Sequence, residues 1–222
     1  MAERTIHMGT DPIGKLLIRQ AVPASIGILV MSLNILIDTI FVGQWIGANA
    51  IAAINVVLPV SFFIAAVGMA SGMGGGSIIS RAVGSDNKPL ANNVFGNQIT
   101  LTLISTLSFM SLGLLFLESI IPLFGWKGVL YPLAKIYYII VVIGVPVLGF
   151  CMMGNNTIRA EGKPKNAMYA MVLPSVSNLF LYYFFIYEFG WGIEGAAWAT
   201  TLSYVICGGY ILYFFVFKKF DM

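Results

Sequence analysis

Charge is the scarcest property of this 222-residue sequence. Only 9% of its residues are Asp, Glu, Lys or Arg, against about a quarter in a soluble domain. That scarcity excludes a soluble fold of any size. The formal charge of +3 is too small to point to nucleic acid. There is one histidine, His7, in a polar N-terminal stretch, and it carries no expected role. There are two cysteines, Cys151 and Cys207, both inside apolar runs and without CxxC or Cys/His spacing. Neither a disulfide framework nor a zinc site follows from them. No nucleophile, base and orienting group recur together, so no enzyme and no organic cofactor are expected. The glycine cluster Gly72, Gly74, Gly75 and Gly76 lacks the GK[ST] ending of a phosphate loop. Met1 to Gly14 is polar, unlike a secretory signal with its basic start and apolar core.

What is abundant is apolar surface, at 59% of residues. A membrane-spanning helix needs about 20 mostly apolar residues, and six runs meet that length. They are expected at about Leu16–Gly43, Ala50–Ser77, Asn92–Leu117, Leu133–Ile158, Ala167–Phe185 and Gly195–Phe217. The chain then divides into a tail over 1–14, a six-helix membrane lobe over 15–217 and a stub over 218–222. Pro23, Pro59, Pro146 and Pro174 lie inside spans, where each removes a backbone hydrogen bond. Gly68, Gly72 and Gly76 recur every four residues and form a smooth strip for close helix packing. GAAWAT, from Gly195, is similar packing chemistry. The third span carries Asn97, Gln98, Thr100, Thr102, Ser105, Thr106 and Ser108. Those groups line a cavity or bond neighbouring helices, and sequence does not choose between the two.

Lysine and arginine placement sets the orientation. Arg4, Lys15, Arg19, Arg81, Lys88, Arg159, Lys163, Lys165, Lys218 and Lys219 fall on one side, and only Lys127 and Lys135 on the other. Both termini are therefore expected in the cytoplasm. Asn155-Asn156-Thr157 matches a glycosylation sequon, but it falls on the cytoplasmic side and is discounted.

Asp38 is the only charged residue between Arg19 and Arg81. A carboxylate in hydrocarbon costs a few kcal/mol even on mild insertion scales, so it normally faces a bundle interior or a water-filled cavity. It lies about 28 Å along its helix from Arg19 at 1.5 Å per residue, in the outer half of the membrane. Asn34 precedes it by one turn and shares its face. Two readings are open: a hydrogen bond that joins two spans, or an ion or proton site. The fifth span adds Ser175, Asn178 and Tyr182 at helical spacing on one face.

Several stretches then resemble one family. GTDPIGKLLIRQAVP, NILIDTIFVGQWIGANAIAAINVVLPV and GGGSIISRAVGSDNKPLA look like the first spans of multidrug and toxic compound extrusion (MATE) transporters, in the branch that includes the MepA exporters. GVPVLGFCMMGNNTIRAEGKPKNAMYAMVLPSVSNLFLYYFFI and WGIEGAAWATTLS are similar to its fourth to sixth spans. The likeness runs from Gly9 to about Phe217. It implies an all-α membrane fold of the MOP superfamily, with two six-span lobes that rock about a site between them. This chain supplies one lobe, so a second six-span lobe or a homodimer partner is expected. The resemblance also implies export of amphipathic small molecules across the plasma (inner) membrane, coupled to inward flow of H+ or Na+.

Site residues carry over one by one. The resemblance places the cation site at Asp38, Asn178 and Thr200 and the bend of the first span at Pro23; Asn34 is a supporting polar group by its spacing alone. The resemblance departs at Tyr182. The family pattern NxxLDpxFI has an acid there, and this sequence reads NLFLYYFFI. Sodium prefers a cage of oxygens with charge to balance it, so losing one of two carboxylates favours protonation of Asp38 over sodium binding. Removal from water disfavours the charged form of a carboxylate in general. Two other readings remain: a truncated or non-transporting membrane subunit, and a flippase for lipid-linked precursors. No Arg or Lys lies deep in the spans, which counts against the flippase.

Overall fold

The structure is a computed structural model that describes residues 12–123 and 130–217. The expected tail up to residue 11, the stub 218–222 and the connector 124–129 lie outside the described residues, and with them Arg4, His7, Trp126, Lys127, Lys218 and Lys219. The described chain is helical. Its elements are α1 (Ile13–Trp45), α2 (Ala48–Gly84), α3 (Lys88–Leu115), the short α4 (Leu117–Leu123), α5 (Leu130–Ala160), α6 (Pro164–Tyr182) and α7 (Gly192–Phe217). A π-helical turn, Tyr183–Glu188, continues α6. Six helices are long and apolar enough to cross a membrane, α6 together with its π turn being the fifth.

The spans differ from expectation mainly at their ends. Helix α2 runs past the expected span end at Ser77 to Gly84, so that only residues 85–87 separate it from α3. At 1.5 Å per residue α2 is about 55 Å long, well beyond the roughly 30 Å hydrocarbon core. The helix is therefore longer than a span requires, and Arg81 stands in its last turn. There the Arg81 guanidinium donates through Nε to the Ser77 carbonyl and complements the negative helix end. Asp86 adopts φ 56°, and Asn87 N–H then closes on the Ala82 carbonyl at 2.8 Å. This is a left-handed helix stop of the kind Asp and Asn tolerate. Asn87 next caps α3 by accepting from Leu90 N–H, with Pro89 in the first turn. The expected loop over Tyr187–Glu194 is likewise shorter, because the chain winds through the π turn before Gly190 and Gly192 reverse it at positive φ.

Helix α5 is the hub. It packs most extensively on α2, then on α7 and α3. Lipid tails are as apolar as the side chains, so close packing rather than the hydrophobic effect joins the helices. The glycine strip does this between α2 and α5. A Cβ on Gly68 would lie 2.5 Å from the Gly149 carbonyl oxygen, and one on Gly72 would lie 2.9 Å from Met153 Cα. The small residues opening α7 act similarly, with Ala196, Ala197 and Ala199 fully buried. Cys151 and Cys207 are buried free thiols. Helix α4 is tied to the start of α5 by Glu118, which accepts from Lys135 and Tyr131. The Lys135 ammonium, with the Tyr131 hydroxyl, holds the exposed Glu118 carboxyl below the usual carboxylate range.

The polar residues of the third span bond their neighbours. Thr102 Oγ1 meets Ser71 Oγ at 2.6 Å, Gln98 Nε2 donates to Thr157 Oγ1 at 2.8 Å, and Thr106 bonds back to the Thr102 carbonyl. Gln98 Oε1 is buried without a hydrogen-bond partner among the described residues, and it lies 2.3 Å from where a Cβ on Gly75 would be. An unpaired buried carbonyl forfeits its desolvation cost. Gln98→Met, of similar length, removes that group together with one hydrogen bond. Its thermal midpoint in detergent is expected to stay close to that of the parent, within about 1 kcal/mol. A loss comparable to a core cavity would show that Oε1 is paired.

Candidate functional site

Helix α1 is the least enclosed span. Only Pro23, Gly27 and Val42 are buried on it. It packs chiefly on α6, and far less on α2 and α7. That arrangement decides which polar groups meet. Gly27 lets α1 approach α6 at Met171, whose Sδ would lie 2.9 Å from a Cβ there. Further along the same contact, Asn34 and Asp38 face Asn178.

Three side chains form one hydrogen-bonded cluster. Asn34 Nδ2 donates to Asp38 Oδ1 at 3.0 Å and to Asn178 Oδ1 at 3.1 Å. Asn34 and Asp38 are half-buried and Asn178 is buried. The oxygen and nitrogen of the Asn178 amide can be exchanged in place, with different consequences for Asp38. With its oxygen toward Asn34, that oxygen also faces the Asp38 carboxyl, a contact that calls for a proton between them. With the amide turned over, Nδ2 donates to Asp38 Oδ1 at 2.9 Å and Oδ2 at 3.2 Å, and the bond from Asn34, whose Nδ2 then faces it at 3.1 Å, is given up. That second arrangement suits an ionised carboxylate, which only accepts. Among the described residues no Lys or Arg forms an ion pair with Asp38.

The other two expected residues form an adjoining pair. Tyr182 is buried at the end of α6, and its hydroxyl lies 3.4 Å from Thr200 Oγ1 on α7. Thr200 donates to the Ala196 carbonyl one turn back, so the Tyr182 hydroxyl is the donor between them. Neither hydrogen-bonds Asp38 directly. Tyr182, Tyr137 of α5 and Tyr204 of α7 all lie near enough to interact with the Asp38 charge. Tyr137 and Tyr204 were missed from sequence. Tyr204 was findable, because it stands one helical turn after Thr200. Nothing in the sequence separates Tyr137 from its neighbour Tyr138.

Pro23 lies within the unbroken helix α1, 15 residues before Asp38, or about 22 Å. Lacking an N–H, it leaves the Arg19 carbonyl without its helical donor. The sequon residues are structural: Asn155 Nδ2 donates to the Ala167 carbonyl at 2.6 Å, and Thr157 is fully buried. Among the described residues no three His, Cys, Asp or Glu side chains gather to hold a metal ion. The oxygens available to a cation near Asp38 are its own carboxylate and the amide oxygens of Asn34 and Asn178, with one carboxylate in all.

The sequence model of the MatE family matches residues 23–184. A protein of Shewanella oneidensis named FAD transporter is 32% identical over 208 residues, which cover 90% of this chain and 46% of that protein. Multidrug export protein MepA of Staphylococcus aureus is 24% identical over 214 residues, 96% of this chain and 48% of its own. Among solved structures, the outward-facing conformation of a multidrug resistance MATE family transporter of the MOP superfamily superposes with a TM-score of 0.86 at 35% identity. The match covers 92% of this chain and 45% of that one. The chain thus spans about half the length of the proteins it matches.

Proposed function

The chain belongs to the MatE family, and from that premise we propose that it forms one lobe of a cation-coupled exporter of amphipathic organic compounds in the plasma membrane. A second six-span lobe, from another chain or a second copy, completes the cavity. The coupling group is Asp38, and the coupling ion is the proton. The observation that carries this reading is the Asn34–Asp38–Asn178 cluster: a lone carboxyl between α1 and α6, held by two amides.

The cluster offers a physical account of coupling. Protonated Asp38 donates to Asn178 Oδ1, which also accepts from Asn34. On losing its proton, Asp38 needs donors, and the turned Asn178 amide supplies two. One proton therefore selects between two hydrogen-bond patterns across the α1–α6 contact. Helix α1 is held by few buried side chains and weakened at Pro23, so it is the element able to respond. Asn34, Tyr182 and Thr200 shape this surface without a second charge, and Tyr182 stands where sodium would want an acid. A relative named FAD transporter supports a substrate range that extends beyond cations to other organic solutes.

The ion is tested on the purified protein. Infrared difference spectra between acid and alkaline buffer are expected to contain a protonated-carboxyl C=O band that Asp38→Asn removes. Sodium, titrated at fixed pH, is expected to leave the protein's fluorescence and protease sensitivity unchanged. Saturable sodium protection that disappears in Asp38→Asn would overturn proton coupling. Tyr182→Asp restores a second carboxylate beside Thr200, and in that variant sodium protection is expected to appear.

A further inference from the structure

Arg159 lies in the last turn of α5 and is half-buried. A long basic side chain at the end of a membrane helix normally extends outward to the interface. The Arg159 guanidinium instead leans back against α6, where Nη2 donates to Met171 Sδ at 3.8 Å. Met171 is seven residues into α6, about 10 Å along its axis, and it is the side chain that packs on Gly27 of α1. The same Nη2 donates to Asn155 Oδ1 at 3.3 Å. Asn155 is itself fixed, because its Nδ2 is held by the Ala167 carbonyl. These are a thioether and one long bond to a neutral amide. Nε and Nη1 donate to no described residue, and no described carboxylate pairs with the guanidinium. The nearby acid Glu161 is engaged by Lys163 at 3.1 Å.

A half-buried guanidinium with most of its donors unspent is a strong attractor for an oxyanion. Its planar fork matches the oxygens of phosphate bidentately, and such charge-assisted bonds are about twice as strong as neutral ones. Lys163, before α6, is balanced by Glu161, and Lys165 in the first turn of that helix is a further cation near its positive end. We propose that Arg159, held by Asn155 at the cytoplasmic junction of α1, α5 and α6, binds a phosphate-class oxyanion. Two sources share that chemistry: the headgroup of an anionic inner-leaflet phospholipid, and a phosphate-bearing solute entering from the cytoplasm. The site stands apart from Asp38 and does not depend on the transport reading.

The test is thermal stability of the purified full chain by fluorescence-detected size exclusion. One arm adds pyrophosphate against chloride of equal ionic strength. The other adds phosphatidylglycerol against phosphatidylcholine in mixed micelles. At least one anion is expected to raise the midpoint of the parent and to have no effect on Arg159→Gln. A response to pyrophosphate assigns the site to a soluble ligand, and a response to phosphatidylglycerol alone assigns it to lipid. If neither anion acts, or if Arg159→Gln responds as the parent does, the proposal fails. Arg159→Lys keeps the charge and loses the fork, and it guards against a glutamine variant that does not fold. Its apparent affinity for the active anion is expected to fall roughly tenfold, the scale of one charge-assisted hydrogen bond. An unchanged affinity overturns the assignment. Neither arm involves an ion gradient or the Asp38 proton, so failure here leaves the coupling reading as it stood.

Discussion

Gly68→Ala is expected to lower stability by on the order of 3 kcal/mol, the upper range for overpacking a well-filled contact. The added methyl carbon would lie 2.5 Å from the Gly149 carbonyl oxygen and 3.0 Å from its Cα. Both are backbone atoms, so no side chain can turn away and the helices must part. Helices α2 and α5 make the most extensive contact of the fold, and separating them loosens the whole lobe. The control lies on the same helix. A Cβ on Gly74 would meet nothing within 4 Å, so Gly74→Ala is expected to be neutral or slightly stabilising. Thermal midpoints of the two variants in the same detergent make the comparison. Equal midpoints would mean that the glycine strip is not the seam of the bundle.

Asp38→Asn is expected to abolish gradient-driven export while leaving the protein folded. Asparagine keeps the size of aspartate and can still hydrogen-bond both Asn34 and Asn178, so the α1–α6 contact survives in one fixed pattern. What it loses is the exchangeable proton. In cells that make the protein, efflux of a fluorescent amphipathic dye is expected to fall to the level of cells without it. A protonophore is expected to stop efflux by the parent and to make no difference to the variant. Asp38→Glu keeps a titratable group one methylene longer and is expected to retain part of the activity. Undiminished, protonophore-sensitive efflux in Asp38→Asn would move the coupling site elsewhere.

The elements were legible in the sequence because the membrane imposes a length. Each apolar run long enough to cross became one helix. The ends were less legible. Arg81 lies past the expected span end, yet it stabilises the last turns of α2 by bonding Ser77. Composition alone does not distinguish helix that continues beyond a span from loop.

The candidate site divides in the same way. Asp38 was identifiable by itself, since one acid in a long uncharged stretch is costly wherever it lies. Asn34 followed from helical spacing. That Asn178 was its partner came only from resemblance, and the side-chain contact came from the packing of α1 on α6. The resemblance grouped Thr200 with Asp38, whereas the fold gives it to Tyr182. Tyr137 came from a helix that carried no signal at all.

By itself, then, the sequence determined six spans, the packing strip on α2 and the one acid that needs an explanation. These depend on hydrophobicity, charge and local periodicity, which each residue carries with it. Tertiary structure alone decided which polar groups hydrogen-bond one another, which glycines meet backbone, and that Arg159 turns inward toward Met171. Those facts depend on distances between helices far apart in the chain, and no spacing along one helix encodes them.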